Sequence, residues 1–515
     1  MLLLILTHLG GLAVQAQTAP PPPVAGGTTP AAVIDAPVQA TLRAHGASLR
    51  DPCPDAVFIR RVYVDVIGTL PTPEAVTSFL EDTRPEKRAL LIEELLQRPE
   101  FADLWALKWC DLLRVKSEFP INLWPNAVQA YHKWIHDAVR DNLPYDQFAR
   151  ALLTSSGSNF RVPPVNFYRA IQGRDPSAIA GAVALTFMGA RVDRWPEARR
   201  TGMTTLFSRV AYKKTGEWKE EIVFTDPAAT GSLHAVFPDG TPALLTAEQD
   251  PREAFATWLL APRNPWFARC MVNRLWYWLL GRGIIHEPDD IRPDNPIASP
   301  ELLASLEAEL IRSRYDLRHL YRLILNSRTY QQSVLPTGPA ETDQTRFARY
   351  TIRRMDAEVL IDALDWLGGS GEDYSSPIPE PFTFIPNTQR TITLADGSIT
   401  SHFLETFGRP NRDTGLLAER NNDPSDAQRL HLLNSGEIRR RIDNSPRLLK
   451  ILTASRWRAP ETIRGLYLTI LSRPPTPDEA ATAAKYFQTN GLQVKGAAMD
   501  LAWALINSKE FLYRH

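Results

Sequence analysis

The chain is 515 residues long and carries Lys+Arg 58 against Asp+Glu 58, a balance that excludes general electrostatic attraction to nucleic acid or to an anionic membrane surface. Its length leaves room for two principal domains with a sizeable core. Trp 13 and Pro 42 describe packed helices separated by stiff connections, and the three cysteines, Cys53, Cys110 and Cys270, include no Cys-x-x-Cys, which excludes a zinc ribbon and a covalent haem site.

Residues 1–16 read as a secretory signal peptide: an apolar core too short for a comfortable membrane span, then Val14-Gln15-Ala16 with small residues at a cleavage position. The expected location is periplasmic, secreted or cell-surface, with a mature N-terminus at Gln17 and no transmembrane span after cleavage. Residues 17–45, rich in Pro, Gly and Ala, read as an extended linker. An N-terminal helical domain is expected over 46–207. Phe58, Val62 and Val66 keep helical spacing up to Gly68, and Thr72 with Pro73 starts the next helix as N-cap and first residue. Helical patterns follow over 90–96, 105–113, 127–139, 145–153 and 176–188, the last ending at Gly189. The start signal returns at Thr476, which forms a capping box with Glu479, and more loosely at Ser299-Pro300. Residues 208–250 break the pattern: 218–225 and 233–241 read as strands with a Pro-Asp-Gly turn, a β-containing insertion at the domain boundary. A C-terminal helical domain takes 251–515, with a second small hairpin expected near 381–403. The fold class is mainly α: two helical domains with small β-hairpin insertions.

The helical stretch within 264–283 is apolar nearly all round, with Phe267, Met271, Leu275 and Trp278 in one stripe and Val272, Trp276 and Leu279 in another. Such a helix belongs inside a core. It also carries Arg269, Asn273 and Arg274, and a buried guanidinium or amide needs partners. The loop behind it holds Asp289, Asp290, Arg292, Asp294 and Asn295. In one reading these neutralise Arg269 and Arg274. In the other, Asp289, Asp290 and Asp294 hold Ca²⁺, a hard cation that takes oxygen ligands, although the EF-hand spacing is missing. Arg354, Asp356 and Glu358, with Glu419 and Arg420, offer paired carboxylates for acid–base work or, in the blander reading, ion pairs and caps. His132 and His136 stand one turn apart, but Tyr131, Trp134, Ile135 and Ala138 hold the apolar face and turn them towards solvent. His431 is the preferred histidine for a functional pocket, with Gln428 or Asn434 as its partner; a hydrogen-bonded interior histidine is the alternative. No nucleophile elbow, P-loop, dinucleotide fingerprint or His-Glu-x-x-His is present.

The stretch from 264 to 296, extended through 313–331, resembles the C-terminal module of a secreted family of paired domains of unknown function, abundant in planctomycetes and associated with cytochromes. Residues 58–74 resemble the start of the family's N-terminal module, and 353–358, 407–410, Glu419-Arg420 and 428–434 match further blocks. In such relatives the segment like 186–191 runs into a Cys-x-x-Cys-His cluster, and further cysteines stand just before the Glu-Arg. Here Arg191 passes through Val192 to Asp193-Arg194-Trp195, and 413–418 contain no cysteine. The resemblance therefore implies a member without the family's haem or metal cysteines, with no cofactor expected and Ca²⁺ the alternative. The expected function is binding or scaffolding, with an extracytoplasmic protein or polysaccharide as partner. The alternative is an extracytoplasmic hydrolase or oxidoreductase acting on polysaccharide through a carboxylate or Ca²⁺ site. The candidate polar site comprises Asn273, Arg274, Asp289, Asp290, Arg292, Asn295, Arg354, Asp356, Glu358, Glu419, Arg420, Gln428, His431 and Asn434.

Overall fold

The computed structural model describes residues 29–335, 345–386, 388–488 and 493–515; the expected signal peptide and residues 17–28 of the expected linker lie outside these. The rest of that linker is not extended. A π-helical turn, Ala31–Asp35, runs into the helix Ala36–Arg43, with Pro37 in the first turn, a position that tolerates proline. Val33, Ile34, Val38 and Leu42 are buried, and the segment packs against the helix Pro300–Arg312. The Asp35 carboxylate accepts from the backbone N–H groups of Arg328 and Thr329, both at 2.9 Å. Apolar residues at helical spacing, with a cap to bind, override the Pro/Ala composition of this stretch.

Several local signals operate as read. The helix Asp55–Ile67 stops at Gly68, whose φ of +60° is the left-handed conformation a terminating glycine adopts. Thr72 caps Pro73–Glu81 by accepting from Ala75 N at 3.2 Å. Thr476 and Glu479 make the capping box, at 3.3 and 2.8 Å. The looser third copy departs from the pattern: the Ser299 hydroxyl makes no cap bond and instead pairs with the Thr41 hydroxyl at 2.8 Å. The helix Phe267–Leu280 is buried on nearly every side, as its composition requires.

The strands are few. β1 (Gly157–Ser158), β2 (Val210–Lys214) and β3 (Glu221–Thr225) form an antiparallel sheet in the order β1-β3-β2, and β4 (Leu233–Val236) pairs with β5 (Pro242–Leu245). No hairpin forms among the described residues of 381–403. That chain instead makes a 3-10 turn, Thr391–Thr393, because the Asp362 carboxylate accepts from Thr391 N at 2.6 Å and Ile392 N at 3.2 Å, taking up N–H groups a ladder would have used. β6 (Arg353–Arg354) pairs with β7 (Tyr513–Arg514), which carries the C-terminal segment into the interior.

The two helical halves share one continuous apolar core. Trp105, on Pro99–Leu112, lies 5.6 Å from Trp278 and 4.4 Å from Tyr321, ring centre to ring centre. The boundary legible in the sequence is therefore not a boundary in the packing.

Candidate functional site

The site begins on the buried helix Phe267–Leu280. Asn273 clips the chain behind it: its amide N donates to the Ile285 carbonyl and its amide O accepts from Ile285 N, both at 2.9 Å. Arg274 points at the end of the helical turn Ala184–Met188, where carbonyls lack intrahelical partners and a cation is favoured. It donates to the Leu185 and Thr186 carbonyls and, at 3.0 Å, to Asp289. The second oxygen of Asp289 accepts from Leu417 N at 2.6 Å. Burial alone would weaken the Arg274 charge, but Cys270, Asp289 and Tyr145 reverse that effect and hold it above its ordinary value.

Arg269 is not served by this loop; it pairs with Glu307 at 2.7 Å. Asp290 is held by Arg194 at 2.7 Å and Arg292 at 3.1 Å, its carbonyl accepts from the Asn295 amide at 2.8 Å, and Asp294 is exposed and paired with Arg292. Asp289, Asp290 and Asp294 are thus each taken by a guanidinium. Among the described residues no group of three or more His, Cys, Asp or Glu side chains gathers as metal ligands. The three carboxylates do not converge on one point: Asp289 turns into the core while Asp294 faces solvent.

A second set of expected residues does converge, deep inside. Asp356, at the N-cap of Ala357–Gly368, accepts from Lys108 at 2.6 Å, Arg514 at 2.7 Å and the Asn422 amide at 2.6 Å. Glu358 receives both terminal nitrogens of Arg420, at 2.6 and 3.0 Å, and Arg420 reaches on to Asp111 at 2.7 Å. Arg412 also binds Asp111, at 2.9 Å, and Arg409 lies 3.9 Å from Glu358. Asp65 closes the far end, accepting from Tyr330, Tyr350, Arg353 and Arg514 at 2.8–3.2 Å. Six cations (Lys108, Arg353, Arg409, Arg412, Arg420, Arg514) therefore face four carboxylates (Asp65, Asp111, Asp356, Glu358). Burial would raise the Glu358 carboxyl, but Arg420 and Arg409 outweigh it and hold it at about 2. The same contest, with Arg514, Lys108 and Arg420 on the winning side, holds Asp356 well below the usual carboxylate range. Burial depresses Lys108, and it brings Arg409 down to about 10.

The remaining expected residues stay outside this network. Arg354 donates to the carbonyls of Phe407, Asn421 and Asn422. Glu419 accepts from Asp413 N and Thr414 N at 3.2 and 2.5 Å, bracing its own loop. Gln428 makes a capping box with Ser425 and reaches the Thr406 carbonyl at 3.1 Å. His431 is half-buried against Phe403 and Phe407, which lowers its pKa, and Asn434 is exposed. His132 and His136 do not face solvent as expected: both are half-buried, and His136 meets Asp103 at 3.1 Å where the helix Pro125–Arg140 packs on Pro99–Leu112.

Sequence reasoning missed Asp65, Lys108 and Asp111. Their signal was a charge on a helix otherwise committed to the interior, the same signal that singled out Arg274. It also missed a cleft of about 640 Å³ lined by Glu372, His402, Glu437 and Arg441. Asp365, bound to Arg441 at 3.0 Å, lines a neighbouring cleft of about 650 Å³; burial pushes its carboxyl up to about 7 despite that arginine. A third cleft, also about 650 Å³, is lined by Arg194, Trp195, Trp266, Asp290 and Arg292, where the expected polar loop reaches the surface.

Two family models match. Residues 33–193 match PSCyt2, a protein of unknown function (DUF1549), and residues 251–487 match PSD1, a protein of unknown function (DUF1553). The chain belongs to this paired-module family. No curated protein and no solved structure matches it. In this member, the two intervals where the resemblance implies cysteines lie against one segment. Gly189, just before Arg191, accepts from Ile291 N at 2.8 Å, and Leu417 N donates to Asp289. The second interval is occupied by polar contacts: Lys116 to Asp413 at 2.7 Å and Arg114 to the Thr414 carbonyl at 2.9 Å. The residues present do not fit a cysteine-held metal or haem. Cys270, which would contact a side chain placed on Gly189, is buried and its thiol is pushed up to about 11. Among the described residues no helix is long and apolar enough to cross a membrane.

Proposed function

We propose that the chain is an extracytoplasmic binding or scaffold protein in which the family's cysteine-held centre has been replaced by ion pairs, and that it receives its ligand in the cleft beside the 191–195 turn. The observation that carries this reading is the state of Asp356 and Glu358. Both are buried, saturated by cations and held ionised, so neither is free to exchange a proton with a substrate. A general acid or base works near its operating pH, and these lie far below it.

The test is Glu358→Gln in the full chain. The expected result is a lower melting temperature and no loss of polysaccharide turnover. Turnover by the wild type that Glu358→Gln abolished at unchanged melting temperature would overturn the proposal. Export is tested separately: mass spectrometry of secreted material is expected to find a mature N-terminus at Gln17.

One observation favours the enzyme reading. Asp365 reaches a cleft and holds its proton up to about pH 7, the range a general acid needs. Polysaccharide hydrolysis lost in Asp365→Asn, with the melting temperature retained, would select it.

A further inference from the structure

Five arginines line the cleft beside the 191–195 turn: Arg191, Arg194, Arg199, Arg269 and Arg292, against the two carboxylates Asp290 and Asp294. Three of the five are spoken for. Arg194 and Arg292 share Asp290, Arg292 also takes Asp294, and Arg269 is held by Glu307. Arg191 and Arg199 have no ion pair among the described residues, and the Nε of each is enclosed without a hydrogen-bond partner. Asp239 acts on Arg199 only through space; its carboxylate accepts from Trp258 Nε1 at 2.9 Å and from Thr241 N at 2.9 Å.

Arg199, on the helix Glu197–Thr205, is also placed rather than left loose. Its guanidinium carbon lies 4.1 Å from the ring centre of Trp195 and 5.2 Å from that of Trp266. Stacking on an indole uses the face of the guanidinium and leaves the edge carrying its two terminal nitrogens free, and that edge forms the fork that matches a carboxylate, sulfate or phosphate. A stacked, oriented arginine without a carboxylate is the arrangement of a donor awaiting an acceptor. Its neighbour Arg191 supplies a second. The cleft volume of about 650 Å³ falls in the range of ligand pockets and exceeds what a lone ion fills.

We propose that this cleft binds an oxyanion, a carboxylate, sulfate or phosphate group carried on a larger ligand, with Arg199 and Arg191 as its donors. The proposal rests on the binding reading above and assigns the chemistry of the ligand at that same cleft.

The experiment is titration calorimetry of the full chain with inorganic sulfate, inorganic phosphate, an oligogalacturonate and an uncharged oligosaccharide of the same length. The expected result is binding of at least one oxyanion probe that weakens as ionic strength rises. Arg199→Gln is expected to reduce the affinity at least about tenfold, with Arg199→Lys recovering little because an ammonium lacks the planar fork. Arg191→Gln provides an independent variant should Arg199→Gln lose its fold by circular dichroism. The sulfate, phosphate and uronate arms identify which oxyanion is taken. Absence of binding by every oxyanion probe overturns the proposal, as does binding that Arg199→Gln and Arg191→Gln both leave unchanged. Binding of the uncharged oligosaccharide alone overturns it too, while leaving the binding reading intact.

Discussion

Two charged clusters in this molecule are built from the same residue types and behave oppositely. Around Arg420, six cations serve four carboxylates, and Glu358 is drawn down to about 2. Around Arg441, one guanidinium serves Asp365 at 3.0 Å, Glu372 at 2.5 Å and Glu437, and Asp365 is pushed up to about 7. Burial raises the carboxyl in both places. What differs is the supply of positive charge: where arginines outnumber acids their attraction overcomes desolvation, and where acids outnumber arginines it does not. The first cluster is a frame, and in the second a carboxylic acid keeps its proton near neutrality.

The hardest test of this contrast is Arg420→Ala. It leaves Glu358 in the core with only Arg409, 3.9 Å away, and removes one of the two arginines on Asp111, so it is expected to cost about 3–5 kcal/mol, read as a fall in melting temperature or in the denaturant midpoint. A loss below about 1 kcal/mol would mean that the network is not the frame it resembles.

The second test is the pH dependence of stability. The folded pKa of Glu358 is depressed, so its contribution is present above the ordinary value of 4.5 and is lost as pH falls through about 2. The folded pKa of Asp365 is raised, so between its ordinary 3.8 and about 7 the folded state holds a proton that the unfolded state has released. Stability from this group therefore declines as pH rises through that window. Asp365→Asn is expected to flatten the stability profile between about pH 4 and 7, measured by urea unfolding, and to leave the acid limb in place. The smallest effect is expected from Arg292→Gln: its ion pairs with Asp290 and Asp294 are partly exposed, and the change should stay within about 1 kcal/mol by thermal unfolding.

The contrast also explains which parts of the site could be read from the chain. Asp356, Glu358 and Arg420 stood out as charges beside arginines, and Arg274 as a charge on an apolar helix. Their partners did not, because Lys108 meets Asp356 across 248 residues of chain and Arg420 meets Asp111 across 309. A small hairpin is expected near 381–403, but the Asp362 carboxylate holds the backbone of Thr391 and Ile392 in a different turn. Proline and alanine hid the helix over 36–43, whose apolar residues have meaning only against the helix Pro300–Arg312.

What the sequence determined alone is everything set within a turn or two of chain: the stop at Gly68, the caps at Thr72 and Thr476, the strands Glu221–Thr225 and Leu233–Val236 and the interior position of Phe267–Leu280. These depend on neighbours three or four residues away, and such neighbours are written next to each other. The tertiary structure alone decided how many arginines each carboxylate would meet. That count sets whether a buried acid is ionised or protonated, because desolvation is fixed by burial while the opposing attraction depends on groups brought together from opposite ends of the chain.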